Sequence, residues 1–420
     1  MLCVRAFLTV CPEYRPKLRR MRFHVLHSPL GTLLAYHLRQ TLPRKHAVSL
    51  ICNPRDVVQK QVTPDKVVRL EHSGVIMSTR SVDFEFPDSS RPSRPPAAKG
   101  AEATPSEDQD RKPIESLIIT DPPTSTQPTL NSLIHRLSPQ STIVLMQTGL
   151  GVYEKLVTTL FPNPARRPHF IIGSPRQEAW LKEPNHVVHK LAGSIDFSIV
   201  PDPRGRNFEA ILRSHDVSPL KRGLRLTDIT NKDDDPQFAE YASLRNTVAV
   251  LTELDALNVS WLPMEEGEIV FRRDLVVRAV TDALGVMLGL RNGELLSTRS
   301  SKKLAETLIM EIQGAFRKQW DAELRAQFPC GEDRSRAMPS LPRGLGRKAL
   351  MADLVRHLLV TGEYEAPMLN DIRTGMPTQL QHGLGYLVQI GKAYGFSMPT
   401  TLALCQAISA RESSSRTVKT

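Results

Sequence analysis

The 420-residue chain is poor in cysteine. Its five cysteines, Cys3, Cys11, Cys52, Cys330 and Cys405, are scattered, form no CxxC pair and have no His cluster nearby. That spacing excludes a disulfide framework and a zinc ribbon. Aromatic residues are only 5% of the chain and form no stripe among basic residues, so readout of nucleic-acid bases by stacking is not indicated. No apolar run reaches the roughly 18–20 residues that span a bilayer. GxSxG, Walker, HExxH and EF-hand patterns are absent. His186 and His189 flank Val187-Val188 in a strand-like stretch, where an i, i+3 pair faces opposite sides, so no metal is expected there. Cys52 is expected to be a buried, inert thiol.

What is present describes a globular chain with room for two or three domains: 40% hydrophobic and 24% charged residues. The formal net charge is +11, compatible with nucleic acid, an anionic surface, phosphate-bearing ligands or organelle import. Across the first 22 residues Arg5, Arg15, Lys17, Arg19, Arg20 and Arg22 stand against the single acid Glu13. Residues 1–20 therefore read as a basic N-terminal segment resembling a mitochondrial transit peptide. Pro12, Pro16 and the lack of serine leave open a plain basic tail with Met21 opening the domain and a cytoplasmic protein. Other basic clusters (Arg166-Arg167, Lys221-Arg222, Arg272-Arg273, Lys302-Lys303, Arg317-Lys318 and Arg343 to Lys348) are expected to be solvated faces. Contact with an RNA backbone or an unknown protein partner through charge stays open.

Along the chain, Phe23–Leu26, a helical stretch through Leu33–Leu38, and Ala47–Ile51 make a βαβ unit. Residues 87–113 are rich in Pro, Ser and charge and are expected to be a disordered insert. Strand signals recur at 114–120, 142–146, 170–173, 187–189 and 194–199. Residues 200–236 are expected to loop out. Apolar spacing of three to four then predicts helices over 268–290, 298–328, 345–360 and 376–395, with a polar linker at 331–345. The expected layout is an α/β domain over 21–230, an all-α domain over 238–412 and a tail at 413–420.

Four segments carry a family resemblance. Met21-Arg22-Phe23-His24-Val25-Leu26 through Gly31, with Leu34-Ala35-Tyr36-His37-Leu38, resembles the opening of a ketopantoate reductase (2-dehydropantoate 2-reductase). Gln147-Thr148-Gly149-Leu150-Gly151 resembles the family's QNGxG loop. Arg291-Asn292-Gly293-Glu294-Leu295 is similar to its NGEL, and Met368 to Thr378 to its SMLQDxxxGRPTE segment. The anchors occur in family order. They imply a Rossmann-type N-terminal domain, a C-terminal helical domain like that of 6-phosphogluconate dehydrogenase, and a cleft where NADPH reduces 2-dehydropantoate to pantoate.

The groups that this chemistry needs are replaced. The phosphate turn His27-Ser28-Pro29-Leu30-Gly31 is one residue shorter than the family's GxGxxG and keeps only Gly31. Pro29 has no N–H to offer a phosphate, and the side chains of His27 and Ser28 are expected to crowd it. The resemblance places a cofactor-binding Arg at Asn53, with Arg55 as a substitute, and Thr148 in place of the loop's Asn. Thr120-Asp121-Pro122-Pro123 lacks the family's Lys. On the helix before NGEL, the family's proton-donating Lys and two Asn fall on Asp274, Arg278 and Asp282. These three at i, i+4 and i+8 are expected to form a salt-bridge ladder. Pro367 replaces the substrate-binding Ser, and Gln379 the acidic residue. Ser28, Gly31, Asn53, Arg55 and Thr148 are the candidate NADP contacts, with binding expected to be weak or absent. The favoured expectation is a catalytically impaired, mitochondrial binding or scaffold protein. The alternatives are an active NADPH-dependent 2-oxo-acid reductase with a rebuilt site, or a nucleotide kept without turnover.

Overall fold

The computed structural model describes residues 21–52, 67–86, 113–147, 150–213, 222–327 and 340–417. In chain order the strands are β1 (Arg22–Leu26), β2 (Ala47–Ile51), β3 (Val68–His72), β4 (Val75–Thr79), β5 (Val82–Glu85), β6 (Ser116–Ile119), β7 (Thr142–Met146), β8 (His169–Pro175), β9 (Glu178–Glu183), β10 (His186–Leu191), β11 (Ile195–Ile199) and β12 (Val259–Trp261). Eight of them form one sheet in the order β12-β11-β8-β7-β6-β1-β2-β5. From β5 to β8 every pairing is parallel. These six strands repeat the doubly wound Rossmann order, with the switch point between β1 and β6. Their residues are nearly continuous apolar runs, as a sheet covered on both faces requires. β11 then runs antiparallel to β8, and β12 pairs with β11.

Helix α1 (Pro29–Thr41) begins where Ser28 accepts the Gly31 N–H and Pro29 pre-sets the first helical turn. It is buried on nearly every side, from Gly31 to Arg39. One face meets the large sheet, and the other is covered by a second sheet, β4-β3-β10-β9. Gly31 sits where α1 presses on β1: a Cβ there would lie 1.9 Å from the Leu26 carbonyl oxygen.

Helices α2 (Pro123–Leu133), α3 (Val152–Thr159) and α4 (Phe238–Thr252) complete the N-terminal unit. Tyr241, Leu244, Val248 and Leu251 of α4 belong to the same apolar core as β1, β2 and α1. The sequence reading put this helix in the C-terminal domain. The structure moves the boundary to the segment between β12 and residue 264, because the apolar face of α4 is received by the sheet. Residues 200–236, expected to loop out, contain two short helical turns at Ala210–Arg213 and Leu226–Ile229.

The C-terminal unit is all-helical: α5 (Met264–Leu288), α6 (Arg299–Gln327), α7 (Arg347–Val360), α8 (Pro367–Thr374), α9 (Leu384–Ala393) and α10 (Pro399–Thr417). Val276, Val280 and Leu284 of α5, Leu308 and Ile312 of α6, and Leu350 and Leu354 of α7 form its core. The helix expected over 376–395 is instead a 3-10 turn, Leu380–His382, followed by α9. Residues 413–417, expected to be tail, continue α10.

Candidate active-site cleft

A cavity of about 560 Å³ lies between the two units. Its N-terminal wall is made by the ends of β7 and β8 with β9 and β10, and its C-terminal wall by α5, α7, α8 and the turn before α9. Asp274, Arg278, Asp282, Pro367 and Gln379 all line it. They come from three separate segments, gathered because α5 turns one face to the sheet while α8 packs across it.

The ladder expected along α5 does not form. Asp274 is bound across the domain boundary: Ser174 Oγ donates to it at 2.5 Å, and Arg176 Nε donates to both its carboxylate oxygens at 3.0 Å. Arg176 also reaches Asp196 at 2.8 Å. Arg278 donates to the Pro175 carbonyl at 2.7 Å instead of to a carboxylate on its own helix. Two groups at the end of β8, a guanidinium and a carbonyl, outcompete partners one turn away. A part-buried, charge-assisted hydrogen bond from Arg176 Nε, shared by both oxygens, is stronger than an exposed i, i+4 pair.

Among the described residues Asp282 keeps one hydrogen bond, from the Met368 N–H at 3.4 Å. Burial pushes its carboxyl up to about 7, against the smaller opposing pull of that hydrogen bond and of Arg278. Burial, with the nearby Glu412 charge, raises Asp371 to about 6. His357 is driven down to about 4 by burial and by Arg278, so it is neutral at pH 7. Pro367 opens α8 at its first turn.

Sequence reasoning missed Arg176, which follows a strand without any motif, and Lys190 of β10. Lys190 lines the cleft from the side opposite α5, and its ammonium lies 4.0 Å from the Tyr364 ring centroid. The Asn292-Gly293 anchor holds the wall together: Asn292 N–H donates to the Tyr364 carbonyl at 2.8 Å, and its side-chain amide to Thr361 at 2.9 Å.

At the β1–β6 switch point, the turn after β1 is closed by its own side chains. Ser28 Oγ accepts the Gly31 N–H at 3.0 Å and pairs with Thr120 Oγ1 at 2.7 Å. The His27 ring lies 2.6 Å from the Pro184 carbonyl of the β9–β10 connection. A dinucleotide pyrophosphate needs free N–H groups on this turn. Gly31 N–H is taken and Pro29 has none, so two of the turn's backbone positions offer no donor to that group. The candidate contacts Asn53, Arg55 and Thr148 lie outside the described residues.

Cys52 is buried, as expected of an inert thiol. His186 faces Glu71 at 3.2 Å, while His189 faces Gln177 at 2.9 Å. The basic pair Arg272-Arg273 is not a free patch, since Arg273 pairs with Asp353 and Arg272 with Glu268. Among the described residues no helix is long and apolar enough to cross a membrane, and no group of three or more His, Cys, Asp or Glu is placed to hold a metal.

A six-stranded Rossmann sheet, a following helical domain and a cleft at their junction define a two-domain dehydrogenase scaffold. The chain matches the ketopantoate reductase PanE/ApbA family over residues 30–202 and the family's C-terminal domain over residues 272–412. It belongs to the ketopantoate reductase family. A probable 2-dehydropantoate 2-reductase of Schizosaccharomyces pombe is 23% identical over 205 residues, 49% of this chain and 51% of the relative. The chain thus spans about half the length of that curated relative. Among solved structures, a PanE/ApbA family ketopantoate reductase from Ralstonia eutropha is similar with a TM-score of 0.62 and 14% identity, over 94% of this chain and all of that one. A probable 2-dehydropantoate 2-reductase from Bacillus subtilis gives 0.57 and 15%, over 93% and 99%. D-mandelate dehydrogenase in a ternary structure with NADH and anilino(oxo)acetate gives 0.63 and 16%, over 94% and 99%. At these identities the structural likenesses concern the fold.

Proposed function

We propose that this member of the ketopantoate reductase family no longer reduces a 2-oxo acid and acts as a mitochondrial binding or scaffold protein. The observation that carries this reading is Asp274. The family resemblance puts the proton-donating ammonium at this position, where it would neutralise the alkoxide formed on hydride transfer. Asp274 instead brings a carboxylate whose oxygens are already occupied by Arg176 and Ser174. A carboxylate there repels a carboxylate-bearing substrate and lacks the N–H donors of an ammonium. The self-capped turn at Ser28 supports the same reading, because the Gly31 N–H is withdrawn from a pyrophosphate and Pro29 has none to offer.

The competing reading is a working reductase with a relocated acid. It draws on Lys190, whose ammonium lines the cleft from β10. NADPH fluorescence titration and NADPH consumption with ketopantoate separate the two. The non-reductive reading expects no saturable NADPH binding and no turnover. Turnover that disappears in Lys190→Met would replace it with the relocated-acid reading. The mitochondrial part rests on the basic segment 1–20. Imaging the full chain beside a chain started at Met21 tests it: only the former should enter mitochondria.

A further inference from the structure

The lining of the cleft also bears on what it holds. Of the five acids that line it, Asp274 is matched by Arg176 and Glu365 by Arg373. Among the described residues Glu178, Asp282 and Asp371 have no basic side chain within ion-pair distance, and Asp282 and Asp371 lie deepest against α5 and α8. The two cations of the cavity are otherwise engaged: Arg278 on the Pro175 carbonyl and Lys190 over the Tyr364 ring. Three further side chains of the wall have a buried oxygen without a hydrogen-bond partner: Thr281 Oγ1, Asn292 Oδ1 and Gln147 Oε1. These side chains are 2%, 3% and 8% exposed, so each is built into the wall.

The two aspartates and these three oxygens can each accept a hydrogen bond; the Asn292 and Gln147 oxygens, and the aspartates once ionised, can only accept. Buried acceptors without donors are costly and occur where something absent completes them. The carboxylate and keto group of a 2-oxo acid bring only further acceptors and negative charge to them. A protonated amine brings three N–H donors and the positive charge that two uncompensated carboxylates call for.

We infer that the cleft binds a small molecule bearing a protonated amine, held between Asp282 and Asp371 with the buried oxygens of Thr281, Asn292 and Gln147 around it. The inference rests on the non-reductive reading of the same cleft and gives it a ligand class. It does not depend on the scaffold role or on the compartment.

The test is isothermal titration of the full chain at pH 8 with cadaverine, and with glutarate as an anionic probe of the same carbon length. Cadaverine should bind saturably, about tenfold or more tighter than glutarate. Asp282→Asn and Asp371→Asn should each weaken it about tenfold or more, while each keeps a cooperative melt. Glu363→Gln, on the exposed Arg291 pair, should leave it unchanged. If one aspartate variant fails to fold, the other still decides. Tighter binding of glutarate, no saturable binding of cadaverine, or equal binding by wild type and a folded aspartate variant would overturn the inference. Ketopantoate turnover by the same sample would overturn the non-reductive reading instead, so the two failures are distinguishable.

Discussion

Asp282 is a carboxylic acid kept from water, and its pKa ties stability to pH. In the unfolded chain it titrates near 3.9 or so, and in the folded chain near 7. Between those values the folded protein holds the extra proton, so stability falls as pH rises through that window. Asp371 acts in the same direction up to about 6. Asp282→Asn should therefore melt close to wild type at pH 4 and increasingly above it toward pH 8; an equal shift at both ends would mean that the charge is not the cause. Gly31 depends on space instead. A methyl group there meets the Leu26 carbonyl at 1.9 Å and Thr120 Oγ1 at 2.8 Å, with backbone on one side that cannot give way. Gly31→Ala should cost about 3 kcal/mol in urea denaturation. This glycine was legible in the sequence as the survivor of a phosphate turn. The capping of its N–H by Ser28 was not, because the Ser28 hydroxyl is placed by Thr120 and the His27 ring by the β9–β10 connection, far along the chain.

At the scale of elements, the sequence and the structure part over who receives a helix face. The periodicity of α4 marks an apolar stripe but carries no address for it, so the helix was grouped with those that follow it. In the fold the Tyr241 hydroxyl donates to Asp202 at 2.6 Å, anchoring α4 beside β11. Tyr241→Phe removes that donor from an aspartate whose side chain is fully buried and still held by Arg204. A loss of about 1–2 kcal/mol is expected by chemical denaturation. Truncation after residue 262 should leave a unit with a cooperative melt, while truncation after 237, which strips α4 and β12 from the sheet, should not. The same limit explains the missing ladder on α5. Spacing within a helix reports which residues are neighbours along it, and Arg176 arrives from a strand almost a hundred residues earlier. The strands β3, β4 and β9 also escaped notice, since each is short and half exposed, and only their mutual pairing over α1 makes them a sheet.

For the whole molecule, the two units are latched through the group that the resemblance would make catalytic. Ser174 of β8 and Arg176 just after it belong to the N-terminal unit and Asp274 to the helical unit, so the pair that displaces a proton donor also fixes the cleft. Asp274→Lys tests what this replacement means. If the lost ammonium were the whole difference from a reductase, restoring it should restore turnover. It places a second cation against Arg176, which is then left with Asp196 alone. Arg176 is 39% exposed, so solvent screening limits the cost to roughly 1 kcal/mol. The variant should fold with a lowered melting temperature, and the double variant Arg176→Ser/Asp274→Lys should recover part of that loss by removing the repulsion. Neither should consume NADPH with ketopantoate, because both keep the Ser28-capped turn that withholds the Gly31 N–H from a pyrophosphate. Turnover by Asp274→Lys alone would show that the turn still holds a dinucleotide, and that one carboxylate separates this protein from its reductase relatives.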